Sequence, residues 1–417
     1  MVVDPGLARP AEVDRLCAGP GNAGREPAGG GRDAGRREHR PGVGRMAPMG
    51  LHTAYGLSRI INARGPYTPL GVSRSGDGVG AAVAGALSEF FVMDELQEAA
   101  DRALARFTGA EAGTVVHCTA SAITLAVAAA MTGESPERVE ALPDTTGMPG
   151  AVVLPAGHAV NYGHPIVQAV RLAGAVPVPV GTEAGFTLED LETGLARQDV
   201  ACLLLVSSRL VRGAGAELAD AVALAHRRGV PVVVDGAAQD FRVGELLATG
   251  ADLVAISGQK YLGSPTAGLV VGRTGAVAAV RAQERGIGRA MKASKEAVIG
   301  VLAALEARQE LDLAVWQQQQ ADKVADFVER AGAVRGITAS SVPDPTGLPF
   351  ARARLVVDPA VSAMDSAALD EALRAGSPSI WAMPGRRDAQ ELLFELVPLT
   401  PDEIDAILAR LAELLGR

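Results

Sequence analysis

From Ile60 to Gly272, short apolar runs alternate with amphipathic stretches, and this alternation constrains the fold more than any other feature of the chain. Thr114–His117, Ala151–Leu154, Cys202–Ser207, Pro231–Asp235, Leu253–Ser257 and Gly268–Gly272 read as strands. Asp94–Phe107, Ala120–Met131, Ile166–Ala173, Leu188–Leu195 and Ala216–Arg228 read as the helices between them. Strand–helix alternation over this length implies an α/β domain with a large, mostly parallel sheet and helices on both faces. Several strands are continuous apolar runs, as expected when both faces are covered. After Gly288 the texture is helical through Glu296–Glu310 and Trp316–Ala331. The remainder mixes strands (Ala353–Val357, Leu392–Leu396) with helices (Ser366–Ala375, Pro401–Leu415), a smaller α+β C-terminal domain. Thr400-Pro-Asp-Glu403 is a helix start, with Thr at the N-cap, Pro at N1 and Glu at N3.

The expected organisation is therefore a tail (1–45), a large α/β domain with an N-terminal arm (46–290), and a linking helix with the small domain (291–417). The tail has ten Gly and eight Arg and no periodicity, so it reads as disordered; upstream translated sequence with Met46 or Met49 as the start is an equal reading.

Composition excludes several classes. No apolar run reaches the roughly 18–20 residues of a membrane span. Three cysteines without a CxxC pair rule out a disulfide framework and a cysteine-only zinc site, and no metal is expected. The expected compartment is the cytoplasm. Only four of the 39 basic residues are lysines: Lys260, Lys292, Lys295 and Lys323. In a chain that uses Arg wherever charge alone is needed, a lysine is a candidate for use as an amine, because Arg does not deprotonate. Lys323 reads more simply as a solvated helix residue.

Chemistry concentrates between Pro231 and Arg273. One strand delivers Asp235 at its carboxyl end, and the next delivers Ser257, Gly258, Gln259 and Lys260. Active sites of open α/β sheets gather at those ends. Pyridoxal phosphate needs such a pair: the lysine binds the aldehyde as a Schiff base, and the carboxylate keeps the ring nitrogen protonated. A structural salt bridge is the plainer account of one Asp and one Lys. The small residues around Lys260, the serine at 257 and the lysine scarcity favour the cofactor. Thr119, Ala120 and Ser121 follow an apolar strand and open an Ala-rich helix, whose free N–H groups make a phosphate site.

Six segments together resemble the selenocysteine-synthase-like family of fold-type-I pyridoxal phosphate enzymes. They are Ile61-Asn-Ala-Arg-Gly65, Asp94-Glu-Leu-Gln97, Thr108-Gly-Ala-Glu-Ala112, Asp235-Gly-Ala-Ala-Gln239, Ser257-Gly-Gln-Lys260 and Arg289-Ala-Met-Lys-Ala-Ser-Lys-Glu296. The family includes L-seryl-tRNA(Sec) selenium transferases and the D-glucosaminate-6-phosphate ammonia-lyase group. The resemblance, from about residue 52 onward, implies that Lys260 is the Schiff-base lysine and Asp235 the partner of the ring nitrogen. It implies Ala237 and His158 on the ring faces, with Ser257, Thr119, Ala120 and Ser121 on the phosphate. It also implies a homodimer or larger homo-oligomer, with Thr68–Phe91 reaching toward the neighbour.

Two departures bear on function. Gly376-Ser-Pro-Ser-Ile380 resembles a family segment that continues to a carboxylate-binding arginine, but Trp381-Ala-Met383 stands there, with Arg386 and Arg387 following as the candidate substrate-binding residues. Selenium transferases also carry an additional N-terminal domain for tRNA, in place of which this chain has only the tail. That tail has eight arginines against six acidic residues, which leaves −11 of the net −9 for the rest of the chain. A nucleic-acid partner would require a concentrated basic face. The expected substrate is a small free amino acid or derivative, and the expected reaction is that of a lyase, by elimination or aldol-type cleavage. The alternatives are a β-replacement transferase, an oxygen-using oxidase or monooxygenase-decarboxylase, and a non-catalytic homologue.

Overall fold

The computed structural model describes residues 50–416. The expected disordered tail, 1–45, lies outside the described residues. Contacts divide the chain into two units, Met1–Leu57 and Ser58–Arg417. Of the first, a one-turn helix, Leu51–Ala54, is described and buries none of its residues.

The second unit holds every strand, beginning with the short β1 (Ile60–Asn62). Seven strands then build one sheet: β2 (Ala112–Val116), β3 (Ala151–Pro155), β4 (Val176–Val180), β5 (Val200–Val206), β6 (Val232–Asp235), β7 (Leu253–Ser257) and β8 (Gly268–Gly272). Their spatial order is β2-β8-β7-β6-β5-β3-β4, and only β8 runs against its neighbours. Successive strand residues point to opposite faces. Val232, Val234, Val254 and Ile256 therefore join one buried layer, with the helices Met93–Thr108, Leu218–Arg227 and Lys295–Gln309. Val233, Leu253, Ala255 and Val270 join the other, with Thr119–Thr132 and Thr274–Ala282.

Several elements escaped the sequence pattern. In β4 the run Val176-Pro-Val-Pro-Val180 lacks two amide donors, which suits it only to the sheet edge, where it pairs with β3 alone. Asp77–Leu87 is helical despite Gly78, Gly80 and Gly85, because it packs along Lys295–Gln309 at close range. A Cβ on Gly300 of that partner helix would lie 2.9 Å from Val83 and 2.4 Å from Pro265. Tertiary packing overrides propensity here. The linking helix is in fact two, Lys295–Gln309 on the large sheet's layer and Leu313–Gly332 on the small domain. They divide where Asp312 caps the second by accepting from the N–H groups of Ala314 and Val315.

The small domain contains β9 (Ile337–Pro343), β10 (Ala351–Val357), β11 (Ser379–Trp381), β12 (Met383–Pro384) and β13 (Glu391–Phe394), with antiparallel order β12-β13-β10-β9. β1 pairs in parallel with β11, and Ile61 and Ala63 are buried in the small domain's core rather than the large one's. The final helix, Pro401–Leu415, starts with the expected reciprocal cap between Thr400 and Glu403.

Gly268 fixes one join between these layers. It pairs with Ser257 on one side and Val116 on the other, and a Cβ there would lie 2.4 Å from the Cys118 carbonyl oxygen. Gly268→Ala must push back the start of Thr119–Thr132, and overpacking of this kind costs about 1–3 kcal/mol. The expected result in urea unfolding is a loss in that range, with no such loss for Gly275→Ala, whose added Cβ meets open space.

Candidate active site

The candidate site lies at the carboxyl ends of the central strands, and register alone brings its parts together. Val206, Asp235 and Ala255 are lateral neighbours across β5, β6 and β7. Ser257, Gly268 and Val116 are neighbours across β7, β8 and β2. Asp235 alternates with Val233, and Ser257 with Ala255, so both point to the face covered by Thr119–Thr132. Asp235, Ser257 and the start of that helix thus converge on one side of one sheet edge.

The helix start has the properties of an anion site. Its N-cap, Cys118, is extended and makes no capping hydrogen bond to the first turn. The Thr119 hydroxyl is buried without a partner. Orphan N–H groups beside an orphan hydroxyl form a cradle that a phosphate satisfies. Ser257 is buried alongside, with its N–H donating to the Ala237 carbonyl at 3.0 Å.

Asp235 is 4% exposed and accepts from the Ala237 N–H at 2.9 Å. Burial raises its carboxyl above the usual range, against the opposing pull of Lys260. Lys260 is shifted the other way: burial lowers the amine, Asp235 raises it, and Arg209 lowers it further. Desolvation dominates for both, and each is the other's main charge partner. The loop carrying Lys260 is tied down from outside, since the Ser73 hydroxyl donates to the Gln259 carbonyl at 2.6 Å.

His158 follows β3 and is 5% exposed. Its Nδ1 accepts from the Val206 N–H at 2.9 Å, which leaves the ring proton on Nε2, and its ring meets Phe186 edge-on at 5.3 Å. Tyr162, on the loop after His158, is 36% exposed, and desolvation together with the charges of Asp235 and Cys118 raises its hydroxyl.

The small domain meets the large one beside Lys260 among buried ion pairs. Arg352 bridges Asp344 and Glu395, the latter at 2.8 Å, and all three are nearly inaccessible. The Tyr261 hydroxyl, next to Lys260, donates to the same Glu395 oxygen at 3.1 Å. Arg308 pairs with the buried Asp240 at 2.9 Å and lies 4.0 Å over the Phe241 ring. Gly65 of the Ile61–Gly65 segment packs on Glu395, where a Cβ would fall 2.5 Å from the carboxylate.

Arg386 and Arg387 lie in the loop between β12 and β13. Arg386 is mostly exposed and within 4.0 Å of Asp388 and Glu391, and Arg387 lines a surface hollow with Trp381 and Arg374. No described contact brings either to Lys260. The arginine that reaches the pocket is Arg209, three residues past β5. Its position at a strand's carboxyl end was the only signal, and that signal was masked by the abundance of arginine.

Comparison with known proteins identifies this arrangement. The L-seryl-tRNA selenium transferase family matches residues 94–325. The chain belongs to that family. It is similar to the 5'-C-glycyluridine monooxygenase-decarboxylase of a Streptomyces species, with 35% identity over 86% of this chain and 90% of the relative. It is also similar to the D-glucosaminate-6-phosphate ammonia lyase of Salmonella typhimurium, with 34% identity over 87% of this chain and 97% of the relative. A solved D-glucosaminate-6-phosphate ammonia-lyase superposes with a TM-score of 0.79 at 34% identity, covering 89% of this chain and 99% of that one. The fold is that of the fold-type-I pyridoxal phosphate enzymes, with a mixed rather than wholly parallel large sheet.

Burial pushes His158 down to about 4 from its ordinary 6.5. The unfolded chain therefore binds a proton between these values that the folded chain refuses, so stability is full above pH 6.5 and falls as the pH drops toward 4. The shift corresponds to roughly 3 kcal/mol. Urea unfolding at pH 7 and pH 4.5 is expected to show a smaller acid loss in His158→Asn than in the parent, since Asn can accept the Val206 N–H without titrating.

Proposed function

We propose that this enzyme uses pyridoxal phosphate to act on a small free amino acid or amino-acid derivative as a lyase, by elimination or aldol-type cleavage. The observation that carries the reading is the buried Asp235 at the edge where the uncapped helix begins, with the half-buried Lys260, three residues past β7, as its charge partner. The residues fit the cofactor. The amides of Thr119, Ala120 and Ser121, the partnerless Thr119 hydroxyl and Ser257 are suited to its phosphate. Asp235 is suited to the ring nitrogen, Ala237 and His158 to the ring faces, and Lys260 to the aldehyde.

When bound, the cofactor supplies an electron sink for the pair left at the substrate's α-carbon. The rest of the work falls to the chain. Burial favours the neutral amine of Lys260, the form that can take the proton from the α-carbon. Asp235, buried and oriented by the Ala237 N–H, would hold the cofactor's ring nitrogen in its protonated form. Tyr261, held by Glu395 of the small domain and by Arg308, fixes the segment that carries the amine.

A second reading is oxidative decarboxylation, favoured by the similarity to the Streptomyces monooxygenase-decarboxylase. Ammonia and a keto acid released from an active preparation support the lyase; oxygen uptake with carbon dioxide release supports the second reading. For the cofactor, the purified protein is expected to be yellow, and borohydride to fix the pyridoxyl group on Lys260 in peptide mapping. Lys260→Ala should lose that adduct while keeping its fold by circular dichroism. A colourless protein with no adduct would sink the reading.

Assembly as a homodimer or larger homo-oligomer belongs to the same proposal. Leu87, Phe90 and Val92, in and just beyond the segment expected to face a neighbour, are strongly exposed. Exposed large side chains this close together mark an interaction surface. Light scattering of the active protein should return at least twice the chain mass; a single-chain mass contradicts the proposal.

A further inference from the structure

Arg209, at the carboxyl end of β5, has no carboxylate partner among the described residues. Among the described residues Arg352 is paired with Asp344 and Glu395, and Arg308 with Asp240, whereas Arg209 appears in no ion pair. It stands where three parts of the fold meet. Val206, three residues before it, pairs with Asp235, and the Ser207 N–H donates to the Asp235 carbonyl at 2.8 Å. Its Nη1 lies 2.7 Å from the sulfur of Met383, which opens β12 of the small domain and is 6% exposed. Its charge lowers the Lys260 amine, and the charges of Glu395 and Asp344 act on it against that of Arg352.

Arg209 is more than a third exposed, so its guanidinium keeps part of its hydration and is open to a ligand. Met383 offers it only a weak acceptor and no charge, and Arg352 and Lys260 act on it as neighbouring cations. An anion brought by a ligand would supply the missing partner. An amino acid carries its carboxylate two bonds from the amine, so an anion site for such a substrate must lie close to the lysine whose place that amine takes. Arg386 and Arg387 are outside that reach, and Arg209 is within it. Met383 also explains the departure noted in the sequence: it occupies the stretch where an arginine is expected, and the guanidinium of Arg209 arrives against it from the other domain.

We propose that Arg209 holds the carboxylate of the amino-acid substrate, entering the site from the end of β5 over Met383. This rests on the reading of the site as a pyridoxal phosphate pocket. A fork of donors binds a carboxylate through two parallel hydrogen bonds, and Arg209 acts as a specificity residue by selecting amines that carry one.

The test uses the coloured holoenzyme and two probes, glycine and methylamine, which differ only in the carboxylate. Apparent affinity is read from the change in cofactor absorbance on titration. The parent is expected to respond to glycine at lower concentration than to methylamine. Arg209→Gln should weaken the glycine response roughly ten- to hundred-fold, the span of a charge-assisted hydrogen bond, and leave methylamine unchanged. Arg209→Lys should recover part of the difference, and Arg387→Gln should behave as the parent. A parent without preference for glycine overturns the proposal, as does an Arg209→Gln protein that keeps the preference. So does one that loses cofactor instead, which would assign Arg209 to the cofactor. A protein that is colourless from the start fails the cofactor reading itself, a result distinct from these.

Discussion

Asp235 and Lys260 are each driven toward neutrality by burial and each drawn back toward the charged form by the other, and the rest of the site is arranged around that tension. Burying opposed charges is a poor source of stability, because desolvation consumes most of what the attraction returns. Asp235 ends one strand and Lys260 follows the next, and the register leaves little freedom: Asp235 is opposite Ala255, two residues before Ser257 and five before Lys260. The sheet's own cohesion comes from the apolar layers on its two faces, so strain at the carboxyl edge does not threaten it. The edge can therefore accommodate chemistry that would be ruinous in the middle of the core.

Closure by the small domain follows a similar logic. Arg352 satisfies two carboxylates, one of which also receives the Tyr261 hydroxyl, and Arg308 donates to the Tyr261 carbonyl as well as pairing with Asp240. Tyr261 is thus gripped at both its backbone and its side chain, one residue from Lys260. A shift of the small domain must disturb Glu395, while the Arg308–Asp240 pair holds Tyr261 from the large domain's side. This is a stiff mount for an amine that has to meet a substrate atom at a fixed place.

The large sheet and the pair at its edge were legible in the sequence because period and chemistry agreed there. The apolar runs ending in Asp235 and Ser257 are buried on both faces as their composition demanded. What stayed hidden depended on contacts distant in sequence. β4 reads as a proline-rich loop until β3 is beside it, and Asp77–Leu87 reads as aperiodic until the bare surface at Gly300 receives it. β1 looks like part of the large domain because of its place in the chain, and its pairing with β11 is set by residues more than 300 positions away. Arg209 belongs with these: its environment is supplied by Met383 and Lys260, neither of which is near it in sequence.

The scarcity of lysine has a geometric meaning as well as a chemical one. Lys323, expected on a solvated helix face, is half-buried and donates to the carbonyls of Leu396 and Leu399 at 3.2 and 3.4 Å. Lys295 reaches the carbonyls of Leu87 and Glu89 at the end of the glycine-rich helix. A compact ammonium can approach two backbone oxygens from a narrow gap, where the planar guanidinium fork is suited to carboxylates instead. The arginines at the pocket follow that division: Arg308 and Arg352 are matched to carboxylates already present, and Arg209 awaits one. Lysine is retained where the shape of the donor or its ability to lose a proton is needed, and among the described residues Lys260 is the lysine whose surroundings call for the second.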